Sequence, residues 1–257
     1  MRMHVAWWLG VGLLLAGPAA AQDRLVSVRH VEQPDGKVYL VAENKGVVVA
    51  TLYVSAELVN MTSEPALPAK IALYPTQGPQ VLAILTQRYA GPFHYQYRAP
   101  AYVGLYTSYR PDTTAVLYQF PFSPGTAWNW GLFDKRTGRI QFGIHSYSFA
   151  LADHTAVRAA RAGIVANIRQ DHRLNTTREA NGLEVLHDDS TYSCYVGIAY
   201  HSVRVALGAR VNIGDQLAEY RTEKAALPLW FCVRRLGESG PENIPARFAR
   251  PAPAPPH

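Results

Sequence analysis

The stretch Gly182-Leu-Glu-Val-Leu-His-Asp-Asp-Ser-Thr-Tyr-Ser-Cys-Tyr-Val-Gly-Ile198 contains two apolar runs on either side of a short polar segment, His187 to Ser190. Asp and Ser side chains in such a segment can hydrogen-bond the backbone of a tight turn. The pattern therefore predicts a β-hairpin, with one strand on each side of the turn. We interpret His187-Asp-Asp189 as turn residues rather than as a metal or acid–base cluster, because turn chemistry is the commoner role at a hairpin tip.

Further apolar runs on both sides of the hairpin predict the other strands of the same core. Upstream, residues Thr155 to Ile168 are rich in Val and Ile, and Gly163 marks a predicted bend. Downstream, Gly208 and Gly214 stand where short strands must turn sharply, and Leu229-Trp-Phe-Cys-Val233 is a final apolar run. These runs indicate several short strands that pack into one β core.

The order of these segments resembles the core of the LytM/lysostaphin-type zinc metallopeptidases, the peptidoglycan endopeptidases of bacterial cell walls. The matches are Phe149-Ala-Leu151, Ala159-Ala-Arg-Ala-Gly-Ile-Val165, Leu186-His-Asp-Asp189, Tyr195-Val-Gly-Ile198, Gly208, Gly214 and Leu227-Pro-Leu-Trp-Phe231. Each match is short, but together they follow one order through the second half of the chain. The resemblance implies a LytM-type antiparallel β core, the duplicated hybrid motif, for residues 119–236.

The positions that would hold or assist zinc in this family carry unsuitable side chains in this sequence. A catalytic zinc needs three protein ligands and an open position at which it activates water. The resemblance places the family's ligands and their companion histidines at Arg139, Ser148, Gly197, Pro228 and Trp230. None of these residue types is a good zinc ligand. The resemblance therefore implies a degenerate member that lines a vestigial site, with no catalytic residues, no metal ligands and no cofactor.

A different alignment keeps an active enzyme open as an alternative. His145 would then be the first residue of a His-x-x-x-Asp motif, and His201 would replace the histidine that is missing at Gly197. The motif fails at Phe149, four residues after His145, and the last strand still supplies Trp230. Under this alternative the protein is a zinc metalloendopeptidase that cleaves peptidoglycan peptide cross-links.

Known LytM-like domains that lack zinc ligands activate cell-wall amidases, and the resemblance implies a binding or regulatory role of that kind. We expect a catalytically inactive protein whose partner is peptidoglycan or a cell-wall hydrolase such as an amidase. A further alternative is a structural envelope module. Nucleic acid is not an expected partner, because no basic block is interleaved with aromatic residues.

Residues 1–21 are typical of a secretory signal peptide. Arg2 supplies the positive start, residues Val5 to Ala16 are apolar, and Ala19-Ala-Ala21 fits a small-residue cleavage site. The apolar run is shorter than the ~20 residues that span a bilayer. We therefore expect a periplasmic or secreted protein with no transmembrane segment after cleavage. The formal net charge of +6 favours anionic polymers such as cell-wall material but selects none of them.

Residues 22–118 alternate between short apolar runs and turn residues. The runs are rich in β-branched and aromatic residues, and breaks such as Asp35-Gly36 and Gly91-Pro92 separate them. Regular spacing of this kind predicts an immunoglobulin-like β-sandwich. The predicted fold class is mainly β, with this sandwich followed by the LytM-type core. Residues 237–257 are rich in Gly, Pro and Ala, which predicts a disordered tail.

Cys194 and Cys232 are the only two cysteines in the chain. An exported pair of cysteines suggests a disulfide, and the resemblance implies that their strands carry neighbouring parts of the site. Strand alternation argues against the bond, because Cys232 shares a face with Trp230 whereas Cys194 stands an odd number of residues from Gly197. The sequence leaves this possible disulfide open.

Overall fold

The computed structural model describes residues 25–108, 115–130, 145–173, 180–221 and 228–249. The regular elements within these ranges are β-strands, and the ranges contain no helix long and apolar enough to cross a membrane. The prediction of a mainly β protein is confirmed. The predicted signal peptide at residues 1–21 lies outside the described residues.

The first eight strands form two antiparallel sheets. They are β1 (Val26–Glu32), β2 (Val38–Asn44), β3 (Ala50–Val59), β4 (Met61–Glu64), β5 (Ala69–Leu73), β6 (Gln80–Gln87), β7 (His94–Arg98) and β8 (Ala101–Val103). One sheet has the strand order β1-β2-β6-β4, and in the other β3 pairs with β5, β7 and β8. Leu40 of β2, Leu52 of β3 and Leu85 of β6 belong to one core and are each 0% exposed. The two sheets therefore enclose a common core as a β-sandwich.

The remaining strands form a second unit around an eight-stranded antiparallel sheet. They are β9 (Leu117–Tyr118), β10 (Trp128–Trp130), β11 (Ser146–Leu151), β12 (Thr155–Arg158), β13 (Gly163–Arg169), β14 (Gly182–Leu186), β15 (Tyr192–Val196), β16 (Arg210–Val211), β17 (Gln216–Tyr220), β18 (Leu229–Gly237), β19 (Gly240–Ile244) and β20 (Arg247–Phe248). The strand order is β10-β11-β18-β15-β14-β13-β16, with β19 also paired to β18. Separate pairs are formed by β12 with β17 and by β9 with β20.

The hairpin predicted from the sequence is the β14–β15 pair at the middle of this sheet. Leu186 and Tyr192 are the last cross-strand partners before the turn. Asp189 holds the turn, because its Oδ1 atom accepts hydrogen bonds from the Thr191 N–H at 3.1 Å and from the Thr191 hydroxyl at 2.6 Å. Its second carboxylate oxygen lies 2.8 Å from Nη1 of Arg161. The turn chemistry predicted for this segment is therefore present.

The eight-stranded sheet is covered on both faces. One face carries Leu183 and Phe231, which belong to the larger core of the second unit. Because side chains alternate along a strand, Cys194 lies on the opposite face. There it shares a buried cluster with Val48 and Val103 of the sandwich. The sandwich therefore packs directly against one face of the central sheet.

The prediction of a disordered tail is wrong for residues 237–249. After β18 the chain turns through Gly240, which has a φ of 131°, and returns along it as β19. Ile244 is 5% exposed, and the ring of Phe248 stacks on that of Phe120 with centroids 4.8 Å apart. Composition was misleading here because the glycines form a turn and the few apolar residues are too widely spaced to make a run. Residues 250–257 lie outside the described residues.

The predicted boundary at residue 118 also needs correction. Leu117–Tyr118 pairs in parallel with Arg247–Phe248, and Tyr118 is buried in the core of the second unit. The second unit therefore begins at or before Leu117. A pairing of two residues with a partner ~130 positions away leaves no periodic signal in the sequence.

Polar contacts fasten the sandwich to the turn between β18 and β19. The Tyr53 hydroxyl donates to the carbonyl oxygen of Gly237 at 2.6 Å. Lys70 and Tyr106 both donate to the carboxylate of Glu238, and Lys70 Nζ lies 4.1 Å from the centroid of the Tyr106 ring. These contacts join side chains far apart in the sequence and fix the position of the sandwich on the sheet.

We expect Tyr53→Phe to lower the free energy of unfolding by about 1 kcal/mol, since it removes one partly buried hydrogen bond between the two units. Burial raises the pKa of Tyr53 to about 12, so the hydroxyl keeps its proton and donates throughout the neutral range. Urea unfolding of both proteins measures the difference. Tyr74→Phe is the control, because Tyr74 is 45% exposed, and it should leave the midpoint unchanged. Equal midpoints for all three proteins would show that the Tyr53 bond adds no stability.

Candidate functional site

Three adjacent strands of the central sheet bring most of the predicted site positions together. Ser148 of β11 is the cross-strand partner of Trp230 in β18. On the other side, Trp230 is the partner of Val196 in β15. Directly opposite residues of antiparallel strands project from the same face, with Cβ atoms about 4.5–5.5 Å apart. Gly197 follows Val196, and Pro228 immediately precedes β18. We call Ser148, Val196, Gly197 and Trp230 the Trp230 site.

The side chains of the Trp230 site do not fit a zinc ion. Ser148 is 7% exposed and Trp230 is 6% exposed, so both are buried. An indole offers only an N–H donor, and zinc in proteins is held by Cys, His, Asp and Glu. The Ser148 hydroxyl has no hydrogen-bond partner among the described residues. A buried hydroxyl without a partner lowers the free energy of unfolding by about 1–3 kcal/mol, so stability does not explain the presence of serine at position 148.

The backbone at Gly197 is itself unsuited to a metal ligand. Its φ is 95°, in the left-handed region that favours glycine. Its N–H donates to the carbonyl oxygen of Asn181 at 2.8 Å, which fixes the chain in this path. A histidine at this position would be strained. Position 197 is therefore unsuited to a metal ligand for two reasons: glycine has no ligand atom, and the backbone conformation disfavours a larger residue.

The two alternative zinc ligands do not lie together at the Trp230 site. His145 lies at one end of the site: it precedes Ser146, which pairs with Cys232. That pair is displaced along the strands from the Ser148–Trp230 pair. His201 follows the end of β15 in the other strand direction and lies in an exposed turn, with its ring 4.1 Å from that of Tyr200. Within the described ranges no three His, Cys, Asp or Glu side chains are grouped to hold a metal ion. Arg139, the remaining predicted position, lies outside those ranges.

A buried polar network on the opposite face of the sheet was missed by sequence analysis. The sequence predicts His187 as a turn residue, yet the residue is only 3% exposed. Its Nδ1 atom lies 2.8 Å from the carbonyl oxygen of Ala162, and its Nε2 atom lies 2.6 Å from Oγ of Ser193. A carbonyl oxygen only accepts, so Nδ1 carries the proton and the Ser193 hydroxyl donates to Nε2. Burial lowers the pKa of His187 to about 4.

This network is structural rather than catalytic. A serine within hydrogen-bond distance of a histidine is the arrangement of an activated nucleophile. Ser193 is 0% exposed, however, so no substrate reaches its hydroxyl. The Tyr195 hydroxyl is bonded to Ser193 and accepts the Ala160 N–H at 2.8 Å, which completes the network. Alternation along β15 could have indicated this network. It places Ser193 on the same face of the strand as Tyr195, and a buried hydroxyl there needs a hydrogen-bond partner.

Cys194 and Cys232 lie on the same face as Trp230, two residues along their strands from the Trp230 site. They are directly opposite each other in the β15–β18 pair. The alternation argument against a disulfide is therefore wrong. Gly197 lies beyond the end of β15, and Val196 is the residue that pairs with Trp230, so Cys194 stands an even number of residues from the Trp230 partner.

Comparison with known proteins gives a distant structural likeness. No model of a known protein family matches the sequence, and no curated protein matches it. The deep-sea M23 metalloprotease pseudoalterin is 16% identical, with a TM-score of 0.37, over 51% of this chain and 75% of that one. Lysostaphin is 16% identical, with a TM-score of 0.35, over 49% of this chain and 51% of its own. A putative glycyl-glycine endopeptidase LytM from Ruminococcus gnavus is 10% identical, with a TM-score of 0.36, over 53% and 64%. These solved structures are of the type that the sequence resembles.

Proposed function

We propose that this protein is a LytM peptidase-like protein that binds no catalytic zinc and acts at the bacterial cell wall as a binding or regulatory module. The observation that carries the proposal is the Trp230 site. A buried indole stands between Ser148 and Val196, beside a glycine whose backbone disfavours any side chain. A zinc centre needs three ligand atoms directed at one point, and these residues supply none that zinc takes in proteins.

The proposed partner is peptidoglycan or a cell-wall hydrolase such as an amidase. The export pattern at residues 1–21 would deliver the chain to the periplasm or the cell exterior, where both partners occur. The net charge of +6 favours contact with anionic wall polymers. We propose that the partner binds at the surface beside the Trp230 site, whose buried residues Trp230 and Ser148 would support the shape of that surface.

Metal content and wall cleavage test whether the protein is inactive. We expect protein loaded with excess zinc and then dialysed to retain far less than one zinc per chain, and to release no peptides from isolated cell walls. An active zinc endopeptidase of the LytM type is the positive control. Stoichiometric zinc together with wall cleavage, both abolished by His145→Ala, would instead establish the enzyme that uses His145 and His201.

The same preparation tests binding. Sedimentation with isolated peptidoglycan, or with a purified amidase, should show saturable binding that Trp230→Ala weakens about tenfold, a loss of about 1.4 kcal/mol, because removal of the buried indole changes the shape of the surface beside it. Phe231→Leu is the matched control, because Phe231 is the next residue of β18 and faces the opposite core. Equal loss in both variants would indicate general destabilisation. A wild-type protein that binds neither partner would favour a structural envelope module.

A further inference from the structure

The two cysteines are placed to react with each other. Cys194 and Cys232 are 3% and 5% exposed, and both are thiols in the structure. Directly opposite residues of antiparallel strands have Cα atoms about 4.5–5.5 Å apart, which lies within the range that a disulfide spans. The two thiols are also hydrogen-bonded to each other. We propose that Cys194 and Cys232 are the site of an intramolecular disulfide, formed when the chain folds in an oxidising environment.

The hydrogen bond within the pair distinguishes the two sulfurs. The hydrogen bond that Cys232 accepts from Cys194, together with the guanidinium of Arg234, lowers the pKa of Cys232. Donation of that bond and burial raise the pKa of Cys194. Glu184, the partner of Cys194 in β14, also faces the pair and opposes ionisation of both sulfurs. Cys232 is therefore the sulfur that reacts first, because the thiolate is the nucleophile.

The oxidant in this proposal is a small disulfide such as oxidised glutathione. The Cys232 thiolate attacks one glutathione sulfur, the S–S bond breaks, and one glutathione thiolate leaves and takes up a proton. Cys194 then loses its proton and attacks the Cys232 sulfur of the mixed disulfide, and the second glutathione leaves as a thiol. Two cysteine thiols are thereby oxidised by two electrons, and one small disulfide is reduced to two thiols.

Burial determines when this reaction occurs. In the folded chain Val48 and Val103 of the sandwich share the buried cluster of both cysteines, so a reagent reaches the sulfurs after β15 and β18 have paired and before the sandwich packs over them. The bond would staple β15 to β18, the strands that carry Val196 and Trp230. The inference does not rest on the proposed function, because it concerns only the pairing of these two strands.

Refolding provides the test. Reduced, denatured protein is refolded with excess oxidised over reduced glutathione, denatured again without reductant, and treated with iodoacetamide. We expect no alkylation and an intact mass about 2 Da below that of the reduced chain, since two hydrogens are lost. Peptide mapping should link Cys194 to Cys232 within one chain. Two alkylated cysteines, or a covalent dimer, would overturn the proposal.

Single variants and thermal unfolding provide the controls. Cys194→Ala and Cys232→Ala, refolded in the same buffer, should lack the 2 Da loss and carry either a glutathione adduct or an alkylated thiol. Oxidised wild type should melt about 10 °C above its reduced form, because the bond closes a loop of about 40 residues. This comparison uses one sequence, so it remains decisive even if a variant fails to fold. Equal melting temperatures would contradict the proposed staple.

Discussion

Acidification from pH 7 to pH 4 should lower the free energy of unfolding by about 3 kcal/mol through His187. In the unfolded chain a histidine takes up its proton near pH 6.5, whereas burial lowers the pKa of the folded imidazole to about 4. Between these values the unfolded state binds a proton that the folded state does not. The stability is therefore fully present above pH 6.5 and is lost as the pH falls toward 4.

Burial is the main reason why the folded His187 ring resists protonation; the hydrogen bond that Nε2 accepts acts in the same direction, whereas the bond from Nδ1–H to Ala162 favours the protonated ring. Nδ1–H already donates to Ala162, and Nε2 accepts the hydroxyl proton of Ser193. A second ring proton would place two donors face to face in a buried site, so Ser193 would have to find another acceptor. The nearby Arg161 also lowers the pKa of His187, while Asp189 acts in the opposite direction. Burial is the largest of these effects.

Urea unfolding at a series of pH values between 4 and 7.5 measures the effect. His187→Gln should lose about 3 kcal/mol of the pH dependence, because glutamine can donate to Ala162 but does not titrate. His201→Gln is the matched control, since His201 lies in an exposed turn, and it should keep the wild-type pH dependence. Carboxylates such as Asp189 contribute equally in all three proteins, so the difference isolates His187. The prediction would be contradicted if the free energy of unfolding changed with pH by the same amount in wild type and in His187→Gln.

The features that were predictable from the sequence are local ones. The β14–β15 hairpin is visible because two apolar runs flank one polar turn within 17 residues, and the turn role of Asp189 follows from the same stretch. The burial of His187 was not visible, because its acceptor Ala162 lies 25 positions away. The contact between the sandwich and the central sheet was not predictable either, because its residues are also far apart in the sequence. Side chains such as Tyr53 and Lys70 look like ordinary strand residues until the second unit packs beside them.

In the candidate site, too, local features were predictable from the sequence and contacts between distant residues were not. The positions aligned with zinc ligands include Ser148 and Trp230, which the sheet register brings side by side although they are ~80 residues apart in the chain. The predicted face of Cys194 is wrong because Gly197 is not part of β15: the chain leaves the strand there, with a φ of 95°. Alternation holds only within a strand, and the last residue of β15 is not evident from sequence. The correct register places the cysteine pair and Trp230 on one face.

Gly163→Ala is expected to have the second large effect, a loss of about 3 kcal/mol in the free energy of unfolding. A Cβ atom at Gly163 would lie 2.3 Å from the carbonyl oxygen of Leu186 and 2.8 Å from Cγ1 of Val185. The oxygen belongs to the backbone of β14, so it cannot move away as the end of a flexible side chain could. The methyl group would push β13 away from the central hairpin and break hydrogen bonds of the ladder. Gly163 is therefore required for the close approach of two strands rather than for the predicted bend.

Gly78→Ala separates this steric effect from the general effect of replacing a glycine. Gly78 has a φ of 65° and open space where a Cβ atom would lie, so its substitution should cost only about 1 kcal/mol of backbone strain. Gly163 lacks a left-handed φ, so the clash alone accounts for its larger cost. Urea unfolding of the two variants gives the comparison. If Gly163→Ala were no less stable than Gly78→Ala, β13 and β14 would have room for a methyl group, and the packing of the central sheet at this point would be looser than the contacts at Leu186 indicate.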